Sequence, residues 1–120
     1  MQPKDVVLDF YKSDVLLDRN AVDRLLHAEA SVDWNSSKGF IQMNREDMLN
    51  LTSDLHKAYI RSKIQISHII EENNMVCVRY AHFVKTIENP REEMLLAHFF
   101  VIWEIKEDKL FRGFQMSNFS

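Results

Sequence analysis

Four extended runs follow one another through the second half of the chain, roughly Lys63–Glu71, Met75–Ile87, Met94–Lys106 and Lys109–Ser117. This succession constrains the fold more than any other feature. Asn73-Asn74 suits a two-residue hairpin, because asparagine tolerates positive φ. Glu107-Asp108 reads as a second tight turn, and Asn89-Pro90 interrupts the connection between the second and third runs. Strands joined by such short turns pair antiparallel.

The first half carries a helical period instead. Pro3 to Leu17 reads as helix one, with proline at a first helical position, Asp5 complementing the positive end, and Val6, Phe10 and Leu17 along one stripe. A short second helix is expected to begin at Asn20, with Asp23 as a capping-box partner and Val22, Leu25 and Leu26 as its apolar residues. A third begins at Asn44, followed by Asp47, and continues through Met48, Leu51, Leu55 and Tyr59. Between helices two and three, Ala30–Asn35 and Phe40–Met43 form two short extended pieces around Ser36-Ser37-Lys38-Gly39. Helices first and strands second define an α+β domain.

Alternation assigns the faces of the strands. Val76, Val78, Tyr80, His82 and Val84 share the more apolar face and are placed under the helices; Cys77, Arg79, Ala81, Phe83 and Lys85 point the other way. In the next strand Leu95, Ala97, Phe99, Val101, Trp103 and Ile105 face inward. The opposite set, Leu96, His98, Phe100 and Ile102, is also largely apolar. An antiparallel sheet with one wet face shows polar residues there. The sequence therefore predicts a cover for this second face, most simply a twin subunit. A regular hairpin at Glu107-Asp108 would set Lys106 against Lys109, Trp103 against Arg112, Val101 against Phe114 and Phe99 against Met116. That register brings Arg112 and Phe114 inside.

A chain of 120 residues, residues 1–120 forming one domain, leaves no room for a second core. Its net charge of -3 offers no general attraction to nucleic acid. Cys77 is the single cysteine, which excludes an intrachain disulfide and a thiolate metal cluster. The two isolated glycines, Gly39 and Gly113, cannot build a phosphate cradle, and nothing calls for a cofactor. The start MQPKDVVLDF has no signal-peptide core and no apolar run approaches a membrane span, so a cytoplasmic location with no membrane partner is expected.

The order helix, helix, short hairpin, helix, four long strands resembles the nuclear transport factor 2-like superfamily, especially its SnoaL-like branch. The residues that carry the likeness are Val7-Leu8-Asp9-Phe10-Tyr11, Ala30-Ser31-Val32-Asp33-Trp34-Asn35, Ser67-His68-Ile69-Ile70, Val76-Cys77-Val78-Arg79-Tyr80, and Phe100-Val101-Ile102-Trp103-Glu104-Ile105 before a tight turn and Leu110. The likeness spans nearly the whole chain and rests on hydrophobic pattern. It implies a cone-shaped α+β barrel, three N-terminal helices packed on a curved, mostly antiparallel sheet, with a pocket between them. It also implies homodimers packed through the outer sheet face. Ketosteroid isomerases of this superfamily use a carboxylate after the first strand and a carboxylic acid on the penultimate strand. The corresponding positions here are Trp34 or its neighbours and Val101. Asp33 could be the base but alternation turns it away from Trp34, Val101 can neither give nor take a proton, and steroid-isomerase chemistry is therefore not expected. Scytalone dehydratase-like relatives use pocket histidines and tyrosines, which this chain retains.

His82 and Tyr80 are the sharpest candidates for chemistry. They project together from one strand, an imidazole that titrates near neutrality beside a phenol that can donate to an oxyanion. The alternative is a core histidine and a core tyrosine, each with an ordinary hydrogen-bond partner. Trp34, Tyr59 and Trp103 could wall a pocket or simply fill the core. Arg112, if inside, needs a partner such as Asp14 or a ligand carboxylate; Val101 and Phe114 would complete the lining. The histidines His27, His56, His68 and His98 show no metal-ligand spacing, and no metal site is expected. Two function classes follow. One is a small-molecule pocket protein with proton-transfer chemistry of the isomerase, dehydratase or cyclase type; the other is a non-catalytic binding or association module of the same fold.

Overall fold

The computed structural model describes residues 1–118. In chain order it contains α1 (Pro3–Phe10), a 3-10 turn (Val15–Leu17), α2 (Arg19–Leu25), β1 (Leu26–Ser36), β2 (Gly39–Asn44), α3 (Arg45–Ala58), β3 (Tyr59–Glu72), β4 (Met75–Thr86), β5 (Met94–Lys106) and β6 (Lys109–Asn118). The class is α+β, as the sequence predicts. The strands form one open sheet in the order β2-β1-β6-β5-β4-β3, with β1 and β6 parallel and every other neighbouring pair antiparallel.

Local chemistry sets most boundaries. Asn44 accepts from the Asp47 backbone N–H at 2.8 Å and Asp47 returns the bond to Asn44, which starts α3 where expected. Helix one is shorter than its apolar stripe suggests. It stops at Phe10, and Asp14 turns the chain through a left-handed conformation with φ of 67°. The second helix starts earlier than expected because Asp18, not Asn20, caps it by accepting from Ala21 N–H. Asn73, Glu107 and Asp108 adopt positive φ in the two tight hairpins.

The inner face is as alternation places it on β4. Val76, Val78, Tyr80, His82 and Val84 are all buried, with the helices lying across them. On β5, Ala97, Val101, Trp103 and Ile105 are buried, while His98, Phe100 and Ile102 face out.

Two bulges correct the expected facing. In β6 the register runs Ile105 to Leu110 and then Glu104 to Arg112, so Phe111 is an extra residue. A one-residue slip exchanges the two faces of a strand. Trp103 therefore lies opposite Gly113, Val101 opposite Gln115, and Ile102 opposite Phe114. Arg112 and Phe114, expected inside, are on the outer face and exposed. The Arg112 guanidinium donates to Ser31 Oγ and lies over the Phe111 ring, so it meets neither Asp14 nor the interior. The second bulge falls between β4 and β5, where His82 faces Ala97 and Phe83 faces Leu95. It leaves Leu96 unpaired and turns this residue, expected on the outer face, toward the interior.

Candidate functional site

Helices and sheet enclose a cavity of about 260 Å³. Its floor comes from β1, β4 and β5, which contribute Trp34, Tyr80, His82, Phe99 and Trp103; α3 supplies Met48, Leu51 and Leu55 as the opposite wall. Tyr59 closes one end, where α3 passes into β3. Among the described residues that line it there is no aspartate, glutamate, lysine or arginine. The polar side chains in reach are His82, Tyr80, Tyr59, Thr52 and Gln115, with the indole of Trp34.

The residues singled out in the sequence divide accordingly. Trp34, Tyr59, Tyr80, His82 and Trp103 meet at this cavity. Val101 is sealed beneath the inner face without reaching the lining. Asp14 lies in the turn after α1, where its carboxylate is engaged by Arg61 and by the backbone of Ser62. Arg112 and Phe114 are displaced outward by the Phe111 bulge. Asp33 also points away from Trp34, and its carboxylate accepts from Gln42 Nε2 at 2.9 Å.

Most of the aromatic lining is already committed. Trp103 Nε1–H donates to the Tyr11 hydroxyl at 2.9 Å, and Trp34 Nε1–H donates to Ser117 Oγ at 2.8 Å. The Tyr80 ring stacks on Phe99 with centroids 4.9 Å apart and 13° between planes. Burial holds the Tyr80 phenol well above its ordinary range, helped by the charge and hydrogen bond of neighbouring Tyr11. Burial likewise pushes Tyr11 up to about 12. Both stay protonated at neutral pH, and neither can act as a base there.

His82 is different. Its Nε2 lies 2.7 Å from Ser62 Oγ, a buried contact between β4 and β3. Burial pushes the imidazole down from 6.5 to about 4, so the ring is neutral at physiological pH. Its Nδ1 has no protein partner among the described residues. A neutral imidazole that lines an apolar hollow is chemically available to whatever enters.

Sequence reasoning missed Ser62, which sits between Arg61 and Lys63 and reads as a solvated edge residue. It also missed Gln115 and Thr52. For Gln115 a signal existed: an isolated glycine inside a strand marks a bulge or a close backbone approach, and Gly113 packs directly against Trp103.

Among the described residues no three His, Cys, Asp or Glu side chains gather as a metal site would require. No helix among them is long and apolar enough to cross a membrane.

No family model matches the chain, and no curated protein sequence does. Solved structures match throughout its length. IdmH, a polyketide cyclase candidate from Streptomyces antibioticus, superposes with a TM-score of 0.76 at 12% identity, covering 98% of this chain and 92% of its own. A protein with a ketosteroid isomerase-like fold from Catenulispora acidiphila, in complex with trimethylamine, gives 0.72 at 11% identity over 96% of this chain and 85% of its own. A SnoaL-like polyketide cyclase candidate from Shewanella denitrificans gives 0.71 at 7% identity, covering 96% and 89%. The chain thus has the SnoaL-like, ketosteroid isomerase-like fold, the nuclear transport factor 2-like architecture that its hydrophobic pattern resembles.

Proposed function

We propose that the cavity receives a small, neutral, largely apolar organic molecule, and that His82 promotes a proton-transfer reaction on it, of the isomerisation, dehydration or ring-closure type. One observation carries this reading: a neutral imidazole, its Nδ1 without a partner among the described residues, lines a hollow whose walls are mostly aromatic and aliphatic. Polar groups placed in such surroundings orient a ligand and act on it more strongly than they would in water. With Arg112 outside, no lysine or arginine among the described residues lines the cavity to favour an anionic ligand, so the preferred molecule is uncharged. The fold's company supports a small-molecule pocket, since polyketide cyclase candidates share it.

The test is a thermal-shift screen of neutral aromatic ketones, quinones and hydroxylated polycycles, followed by titration of the hits. Leu51→Trp, which fills the hollow from α3, should retain the circular-dichroism spectrum of the sheet and abolish saturable binding. Hits that bind this variant as tightly as the parent would place the site elsewhere.

A second reading has its own observation. Phe100, Ile102, Phe114 and Met116 are exposed on the outer face of β5 and β6. They motivate an association surface through which two copies pair, with or without catalysis in the cavity.

A further inference from the structure

We propose that Ser62 fixes His82 in the tautomer that carries its proton on Nδ1, so that the cavity offers its occupant a neutral hydrogen-bond donor and selects molecules bearing an acceptor, a carbonyl oxygen above all. This deepens the ligand-site reading and rests on it for the identity of the occupant.

Ser62 is 2% exposed, and among the described residues its hydroxyl has a single protein partner, His82 Nε2 at 2.7 Å. A hydroxyl carries one proton, and burying it without an acceptor is costly. Were the imidazole proton on Nε2, that nitrogen would donate to Ser62 Oγ and the serine proton would be stranded. With the proton on Nδ1, Ser62 donates to the Nε2 lone pair, the buried hydroxyl is satisfied, and the Nδ1–H is the donor left for water or for an occupant of the cavity.

The serine is held for this task from the other side. β3 is an edge strand, and the turn after α1 covers its free edge at this point. Asp14 N–H donates to the Ser62 carbonyl at 2.8 Å, and Ser62 N–H donates to Asp14 Oδ1 at 2.9 Å. Arg61 anchors the same carboxylate through Oδ2 at 2.7 Å. Asp14 and Ser62 are therefore positioning residues acting through the histidine, and His82 is the group that would touch the ligand. In this tautomer His82 takes part in the proposed proton transfer as an acid, donating to an acceptor oxygen and stabilising the charge that develops there.

Long-range proton–nitrogen correlation spectra of the ¹⁵N-labelled protein at neutral pH decide the tautomer without any ligand. The His82 signals are identified by their loss in His82→Gln. A pyrrole-type Nδ1 and a pyridine-type Nε2 are expected, and the reverse pattern overturns the proposal. Ser62→Ala should convert this pattern to a tautomer mixture, and Ser62→Thr should restore it. An unchanged pattern in Ser62→Ala would show that Ser62 does not set it.

The selection is read with 1-tetralone against tetralin. The parent should prefer the ketone by about tenfold, the worth of one hydrogen bond, and His82→Phe should erase the preference. Equal binding of both probes to the parent overturns the selection. Binding of neither overturns the ligand-site reading, and the nitrogen shifts still settle the tautomer.

Discussion

His82 is buried with a hydroxyl for company and no carboxylate to welcome a positive charge. Its folded-state value of about 4 lies below the 6.5 of a free imidazole, so in that window the unfolded chain binds more protons than the native one. Stability from this group is complete above pH 6.5, declines as pH falls toward 4, and levels off below it. Each pH unit between those two values is worth about 1.4 kcal/mol, which puts the loss at about 3 kcal/mol. Denaturant titrations at intervals from pH 7 to pH 4 should show this slope in the parent and a shallower one in His82→Gln, which cannot gain the proton. Parallel slopes would mean that the histidine charges in the native state. That His82 and Tyr80 face inward was legible from alternation alone, since β4 has no bulge up to His82 and its two faces differ in polarity. Ser62 was not legible. Its neighbours Arg61 and Lys63 are polar, and a serine's value here lies in a contact across strands that no local pattern encodes.

At the scale of elements, β6 decides which side chains reach the cavity. A regular hairpin would have put Arg112 and Phe114 inside. The extra residue Phe111 instead inserts Gly113 and Gln115, and the absence of a side chain at Gly113 is what lets Trp103 lie flat against the strand. A Cβ added at Gly113 would stand 2.7 Å from Trp103 Cζ3, inside van der Waals contact. The indole cannot easily retreat, because Nε1 is tied to Tyr11. Gly113→Ala should therefore destabilise the protein by about 2 kcal/mol, in the range of overpacked cores, and alter the near-ultraviolet circular dichroism of the tryptophans. Unchanged stability would mean that strand and ring part at little cost. The wall opposite is set by α3, whose start was fully legible as Asn44 with Asp47. Asn44→Ala leaves the Asp47 N–H without its acceptor and should cost about 1 kcal/mol in chemical denaturation, with the cavity lining itself untouched. Helix one ends well before its apolar stripe does, for a reason of the opposite kind. Leu17 continues its apolar stripe, but the chain reaches that position through the left-handed turn at Asp14, and stripes report burial without reporting continuity.

The whole molecule presents two apolar surfaces separated by one sheet. The inner is roofed by helices and holds the cavity; the outer carries Phe100 opposite Met116 and Ile102 opposite Phe114, two cross-strand pairs left in solvent. The bulges sharpen this contrast. Phe111 sends Phe114 outward to join Ile102, while the second bulge withdraws Leu96 from the outer face into the lining. Large adjacent apolar side chains on a twisted sheet are an aggregation hazard unless something closes over them, and a second copy brings a matching face by symmetry. Such a dimer should elute at twice the monomer mass and dissociate on dilution. Phe100→Asp places a carboxylate at the centre of that face, where burial against a partner would leave it unpaired, and should yield monomers. Because Phe100 points away from the cavity, those monomers should bind a cavity ligand as the parent does, and His82→Gln should leave the dimer intact. A parent that runs as a monomer at every concentration would remove the association reading. Loss of ligand binding together with the dimer would instead couple the two faces through the strands they share, making the sheet a conduit between sister subunits and no longer a partition.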